Sequence, residues 1–120
     1  MDQAITENFA LIKSAVLSAL LMSETAEVAK EGMITDIETE EEIGHFIDVR
    51  IKSKDDEYRI LTAHADFEGC RLFSCAGQPS SLVIESDSVL EHSINFAELN
   101  HETIGSWVVK HIEAEENGLS

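Results

Sequence analysis

Apolar residues recur every three or four positions from residue 4 to about residue 30, and this spacing predicts one long N-terminal helix. Ile5, Phe9, Ile12, Val16, Ala19 and Leu20 form an ordinary core-facing stripe. Leu11, Ala15 and Met22 flank it and widen the apolar arc to roughly 180°, beyond the ~100° that one core face requires. Ser14 and Ser18 mark the polar edge. Ala10, Leu17, Leu21 and Val28 then repeat at steps of seven, four and seven, on the side away from Ile12 and Val16. A helix apolar nearly all round is either sandwiched between a sheet and another helix or carries an intermolecular contact. Both readings stand on the sequence alone. Gly32 is the expected C-terminal stop.

Downstream the period shortens to two. Residues 33–39 fit a strand whose end, at Glu40, Glu41 and Glu42, faces solvent. Ile47, Val49 and Ile51 alternate with Asp48, Arg50 and Lys52; residues 54–57 interrupt, and 58–63 resume an extended pattern, which predicts a β-hairpin. Further strands are expected at 71–75 and 81–85, separated by a turn at 77–80. Residues 88–99 are ambiguous: Ser88 and Glu91 fit a helix capping box, whereas 93–97 alternate like a strand. A final helix is capped by Asn100 and carries Ile104, Trp107, Val108, His111 and Ile112 on one stripe, with Gly118 just past its end. The expected fold is therefore α+β: a long N-terminal helix, an antiparallel sheet of four to five strands, and a C-terminal helix packed on one sheet face. One domain spans 1–120, with 1–3 and 114–120 frayed.

Charge changes the picture more than composition does. Eight Lys and Arg against 24 Asp and Glu leave a net charge of −16, which repels phosphate backbones and anionic lipid and attracts basic surfaces. Direct nucleic-acid binding and membrane association are therefore not expected. Half of the basic residues, Arg50, Lys52, Lys54 and Arg59, crowd one hairpin. The apolar run at 15–22 follows Asp2 and Glu7 instead of a basic cluster and is too short to span a bilayer, so it reads as neither signal peptide nor anchor. The two cysteines, Cys70 and Cys75, do not make a disulfide scaffold, which favours a reducing compartment and a cytoplasmic protein.

No phosphate loop, dinucleotide fingerprint, nucleophile elbow or metal-binding helix motif occurs, and no cofactor is expected. Pairing Ile51 with Tyr58 across the hairpin would set His45 opposite His64; with Asp66 or Cys70 nearby such a pair could hold zinc or respond to mild acid. Histidines at strand ends more often sit half-exposed with one backbone hydrogen bond, and His111 fits the edge of the core. The carboxylates of Asp36, Glu38, Glu40 and Glu42 would, on a strand, align roughly 6.7 Å apart like a row of phosphates, against the plainer reading of a charged edge that resists aggregation. These features point to a non-enzymatic interaction module, homodimeric, that binds a protein partner as a chaperone, adaptor or inhibitor does; the alternative is a nucleic-acid-mimicking or immunity-type inhibitor of a basic protein, and a third reading is a small enzyme or metal-binding protein that uses His45 and His64. The contact residues expected are Leu11, Leu17, Leu21 and Met22, with Asp36, Glu38, Glu40 and Glu42 as a second surface for a basic partner. The layout is similar to that of small acidic helix, sheet, helix dimers among bacterial secretion chaperones, a likeness of arrangement to which no residue is matched.

Overall fold

Asp2 opens the first helix, its Oδ1 accepting from the Ala4 N–H at 3.0 Å and satisfying one of the orphan amides of the first turn. The computed structural model describes residues 2–53, 57–77 and 88–117. Helix α1 spans Gln3–Leu20 and buries Ile5, Phe9, Ile12, Ala15, Val16 and Ala19. The helix predicted to about residue 30 thus ends ten residues early. The amides of Met22 and Ser23 close its last turn, Ser23 Oγ accepts from the Thr25 N–H at 3.1 Å, and the chain leaves as strand β1, Ala26–Thr35. Glu24, Ala26, Glu27 and Ala29 have the side chains of a helix, but pairing with a neighbouring strand overrides that weak local preference. Val28 therefore belongs to the sheet, and its seven-residue distance from Leu21 is a coincidence of sequence.

Four more strands follow: β2 Glu42–Lys52, β3 Tyr58–Asp66, β4 Gly69–Gly77 and β5 Val89–Ile94. They form one antiparallel sheet in chain order, β1-β2-β3-β4-β5. The β2–β3 hairpin is as expected, but its register differs by one residue. Lys52, not Ile51, faces Tyr58, and a Ser53 N–H to Glu57 carbonyl bond of 2.8 Å closes the loop. The expected strand at 81–85 and most of the turn at 77–80 lie outside the described residues. The ambiguous segment resolves into β5 and a short 3-10 turn, Phe96–Glu98.

Asn100 caps helix α2, His101–Glu116, taking hydrogen bonds from the N–H and hydroxyl of Thr103 at 2.8 and 2.9 Å. Both helices pack on one face of the sheet and against each other. The core between the layers joins the inner stripe of α1 to Ile47, Val49, Ile51, Leu61, Ala63, Leu72, Ile104, Trp107, Val108 and Ile112. Alternation within each strand sends these side chains inward and their neighbours to the open face. Within the described residues the acidic end of α2 is anchored at two positions: Glu115 is buried and accepts from Arg59 Nε at 3.0 Å, while Glu116 accepts from the hydroxyls of Ser23 and Thr25 at 3.0 Å.

Candidate interaction surface on the first helix

With its inner stripe committed to the sheet and its side to α2, α1 still presents a second apolar face to solvent. Ala10, Ser14, Leu17 and Leu21 lie along it at steps of four, three and four and are all exposed, Leu17 by 41% and Leu21 by 88%. Together with Lys13, Ser18 and Leu20 they line a shallow groove of about 690 Å³. Met22, 82% exposed, lies beyond Ser18 and lines a smaller groove between α1 and α2 with Ala15, Gly105 and Val109. Leu11 is half-buried on that same flank. On the other flank Lys13 Nζ reaches Glu31 Oε1 on β1 at 2.7 Å, bringing the helix edge over strand positions Val28 and Met33, 36% and 40% exposed. Contiguous exposed apolar surface of this kind is uncommon on soluble monomers beyond a few hundred Å². α1 packs on both the sheet and α2, but α2 does not cover Leu17 and Leu21, so the sandwiched reading of the over-wide helix does not extend to them.

No protein family, curated protein or solved structure matches this chain. The surface has to be read from its own chemistry.

The acidic row takes a different form. Residues 36–41 turn the chain between β1 and β2: Asp36 Oδ1 accepts from the amides of Glu38 and Thr39 at 2.8 and 3.2 Å, and Glu40 adopts a left-handed φ of 59°. Asp36 is spent on holding the turn, Glu38 and Glu40 project from it, and Glu42 begins β2. The four carboxylates therefore do not share one strand face. Sequence alternation suggested a strand because it cannot show that Asp36 folds back on its own backbone.

The histidine pair is also separated, by the one-residue register difference. His45 lies opposite Ala65 and His64 opposite Phe46, so the two rings occupy opposite faces of the sheet. His45 stacks on Phe9 with ring centroids 4.8 Å apart, and its Nε2 lies 3.2 Å from Thr6 Oγ1. His64 lies between Phe46 and Phe73 on the open face. Asp66 is buried, accepts from the Glu68 N–H at 2.9 Å and pairs with Arg71. Among the described residues no three His, Cys, Asp or Glu side chains gather in a metal-binding arrangement. Cys70 and Cys75 are free thiols on opposite faces of β4; burial, reinforced by Asp66, pushes the Cys70 thiol up to about 12, so it is held as an unreactive thiol. No helix among the described residues is long and apolar enough to cross a membrane.

Burial, reinforced by the Arg71 guanidinium and only partly opposed by Asp66, pushes the His64 imidazole down from 6.5 to about 4. As pH falls below about 6.5 the unfolded chain takes up a proton that the folded one refuses, so stability present above that pH is lost progressively towards about 4. Asp48 has the opposite sign: burial raises its carboxyl above the ordinary range despite Thr62 and Lys30, so the stability tied to its neutral form is lost as pH rises. The test is therefore a difference. Urea midpoints of the wild type should fall more than those of His64→Gln between about pH 7 and pH 5. Equal losses would show that the ring is not held neutral.

A second cluster escaped the sequence reading. Glu91 on β5 accepts from Trp107 Nε1 at 3.2 Å and meets His111 Nε2 at 2.5 Å, both from α2. Burial works against its charge, but bonds from Trp107, His111 and Ser74 outweigh that and hold the carboxyl below the ordinary range. Trp107 and His111 were legible as one turn of α2. Glu91 was not, because only the fold decides that 89–94 is a strand beside that helix. The cluster borders a polar cleft of about 450 Å³ and joins the edge strand to the helical layer.

Proposed function

We propose that this chain is a non-enzymatic protein-binding module that pairs with a second copy of itself through the outer face of α1. The observation that carries the reading is the coincidence of two properties on one segment. Residues 8–23 hold the exposed Leu17 and Leu21, and they contain none of the chain's 24 acidic residues. Two copies at −16 repel wherever carboxylates meet, over a Debye length of about 8 Å in physiological salt. α1 is where they can approach closely, with apolar burial as the attraction and Lys13, already neutralised by Glu31, as the one charge on the face.

Salt distinguishes this pairing from capture of a basic partner. Screening weakens like-charge repulsion, so added salt should tighten self-association, whereas a contact held by opposite charges should loosen. Light scattering should give twice the 13.3 kDa chain mass, and the dimer should persist or strengthen as salt rises. Leu21→Glu should give a monomer, because it sets a carboxylate in the apolar contact between two acidic copies, and its circular dichroism spectrum should keep the helix and sheet signature because Leu21 is outside the core. A wild type that stays monomeric at all salt concentrations removes this function.

A further inference from the structure

We infer that the two copies pack α1 against α1 antiparallel, about a two-fold axis level with the midpoint between Ala15 and Val16. This rests on the self-pairing reading and adds an orientation and register that the reading does not require. Ala10, Ser14, Leu17 and Leu21 follow the alternating four- and three-step spacing of a coiled-coil seam, and all four line the same groove. Their sizes are ordered along the helix: small at the N-terminal end of the seam, large at the C-terminal end. An antiparallel pair about that midpoint sets Ala10 against the partner's Leu21 and Ser14 against the partner's Leu17, then repeats both contacts by symmetry. Every layer then joins a large side chain to a small one, which is how facing positions interdigitate without voids at an interaxial distance of about 8–10 Å.

Parallel packing fails on the same volumes. It would set Ala10 and Ser14 against their own copies, leaving gaps, while crowding the paired Leu17 and Leu21 at the other end. The flanks also favour the antiparallel arrangement. Leu20 comes beside the aliphatic stem of the partner's Lys13, and half-buried Leu11 comes beside the partner's Ser18, so partly exposed leucines on both edges gain cover. Helix dipoles oppose each other in this arrangement, and the acidic N-terminal residues Asp2 and Glu7 of the two copies lie at opposite ends of the contact.

Cysteine cross-linking with a short bis-maleimide tests the arrangement. Ala10 and Leu21 are exposed, so replacing either leaves the core untouched. In the antiparallel dimer two copies of position 10 are about 16 Å apart along the helix axes, at 1.5 Å per residue, beyond a short linker. A mixture of Ala10→Cys and Leu21→Cys chains should therefore give a covalent dimer. Ala10→Cys alone should stay at the background of the wild type, whose own Cys70 and Cys75 are buried. Efficient cross-linking of Ala10→Cys with itself would overturn the inference in favour of a parallel pair. A dimer by light scattering with no cross-link in either sample would place the contact elsewhere. A monomer by light scattering would instead overturn the self-pairing reading beneath it.

Discussion

Trp107→Ala should lower the unfolding free energy by about 3–5 kcal/mol, as expected for deleting a buried aromatic side chain from a packed core. Trp107 is 6% exposed, packs beneath α2 with Ile104 and Val108, meets the His111 ring edge-on at 5.8 Å, and donates its indole N–H to Glu91. Truncation removes the volume and also one of the donors that keep the Glu91 carboxylate ionised. Domains of this size have only about 5–15 kcal/mol in hand, so the loss is a large share of the whole. Trp107→Phe keeps most of the buried ring and forfeits the donor; it should cost about 1.5–3 kcal/mol, the range of a hydrogen bond to a charged group. Urea unfolding of the two variants separates packing from hydrogen bonding. If both lose the same stability, the indole N–H and not the buried ring holds α2 to the sheet.

Gly44→Ala should destabilise by about 1–3 kcal/mol or more through overpacking. A Cβ on Gly44 would stand 2.5 Å from the carbonyl oxygen of Ala65 and 2.9 Å from Asp66 Cβ. The nearest of these is main chain of the strand paired to β2, so relief requires β2 and β3 to part near the row that joins Gly44, Asp66 and Gly69. Gly105→Ala in α2 is the contrasting case. Its Cβ would meet only the Ala15 carbonyl, at 4.0 Å, and a mid-helix alanine gains about 0.8–1 kcal/mol over glycine. Thermal melts should therefore move in opposite directions for the two substitutions. A stabilised Gly44→Ala would show that the β2–β3 ladder is looser at this end than the contacts imply.

The candidate surface was partly legible before the fold. Leu17 and Leu21 stood out because their spacing set them opposite Ile12 and Val16, and a helical period reports which side chains share a face. It does not report whether another element covers that face, so burial against α2 and an intermolecular contact could not be separated. Val28 was drawn into the stripe by a spacing of seven that a strand can produce as well. His45 and His64 were set opposite each other by a hairpin count off by one, and a side-chain period of two turns such a difference into opposite sheet faces. The acidic row failed differently: Asp36 bonds the amides of Glu38 and Thr39, a local choice between turn and strand that alternation of charge leaves open.

The sequence by itself determined the α+β class, the amphipathic first and last helices, the Asn100 cap, the β2–β3 hairpin and a segment of α1 free of carboxylates. Each is written in side chains close together along the chain, where propensity, period and charge act locally. Only the tertiary structure decided that α1 stops at Leu20, that residues 26–35 pair with β2, that Glu91 reaches Trp107 and His111, and that α2 leaves the Leu17 face open. Those outcomes depend on hydrogen-bond ladders and burial between residues far apart in sequence, and such contacts override local preference because they remove more apolar surface and satisfy more backbone than any single segment can alone.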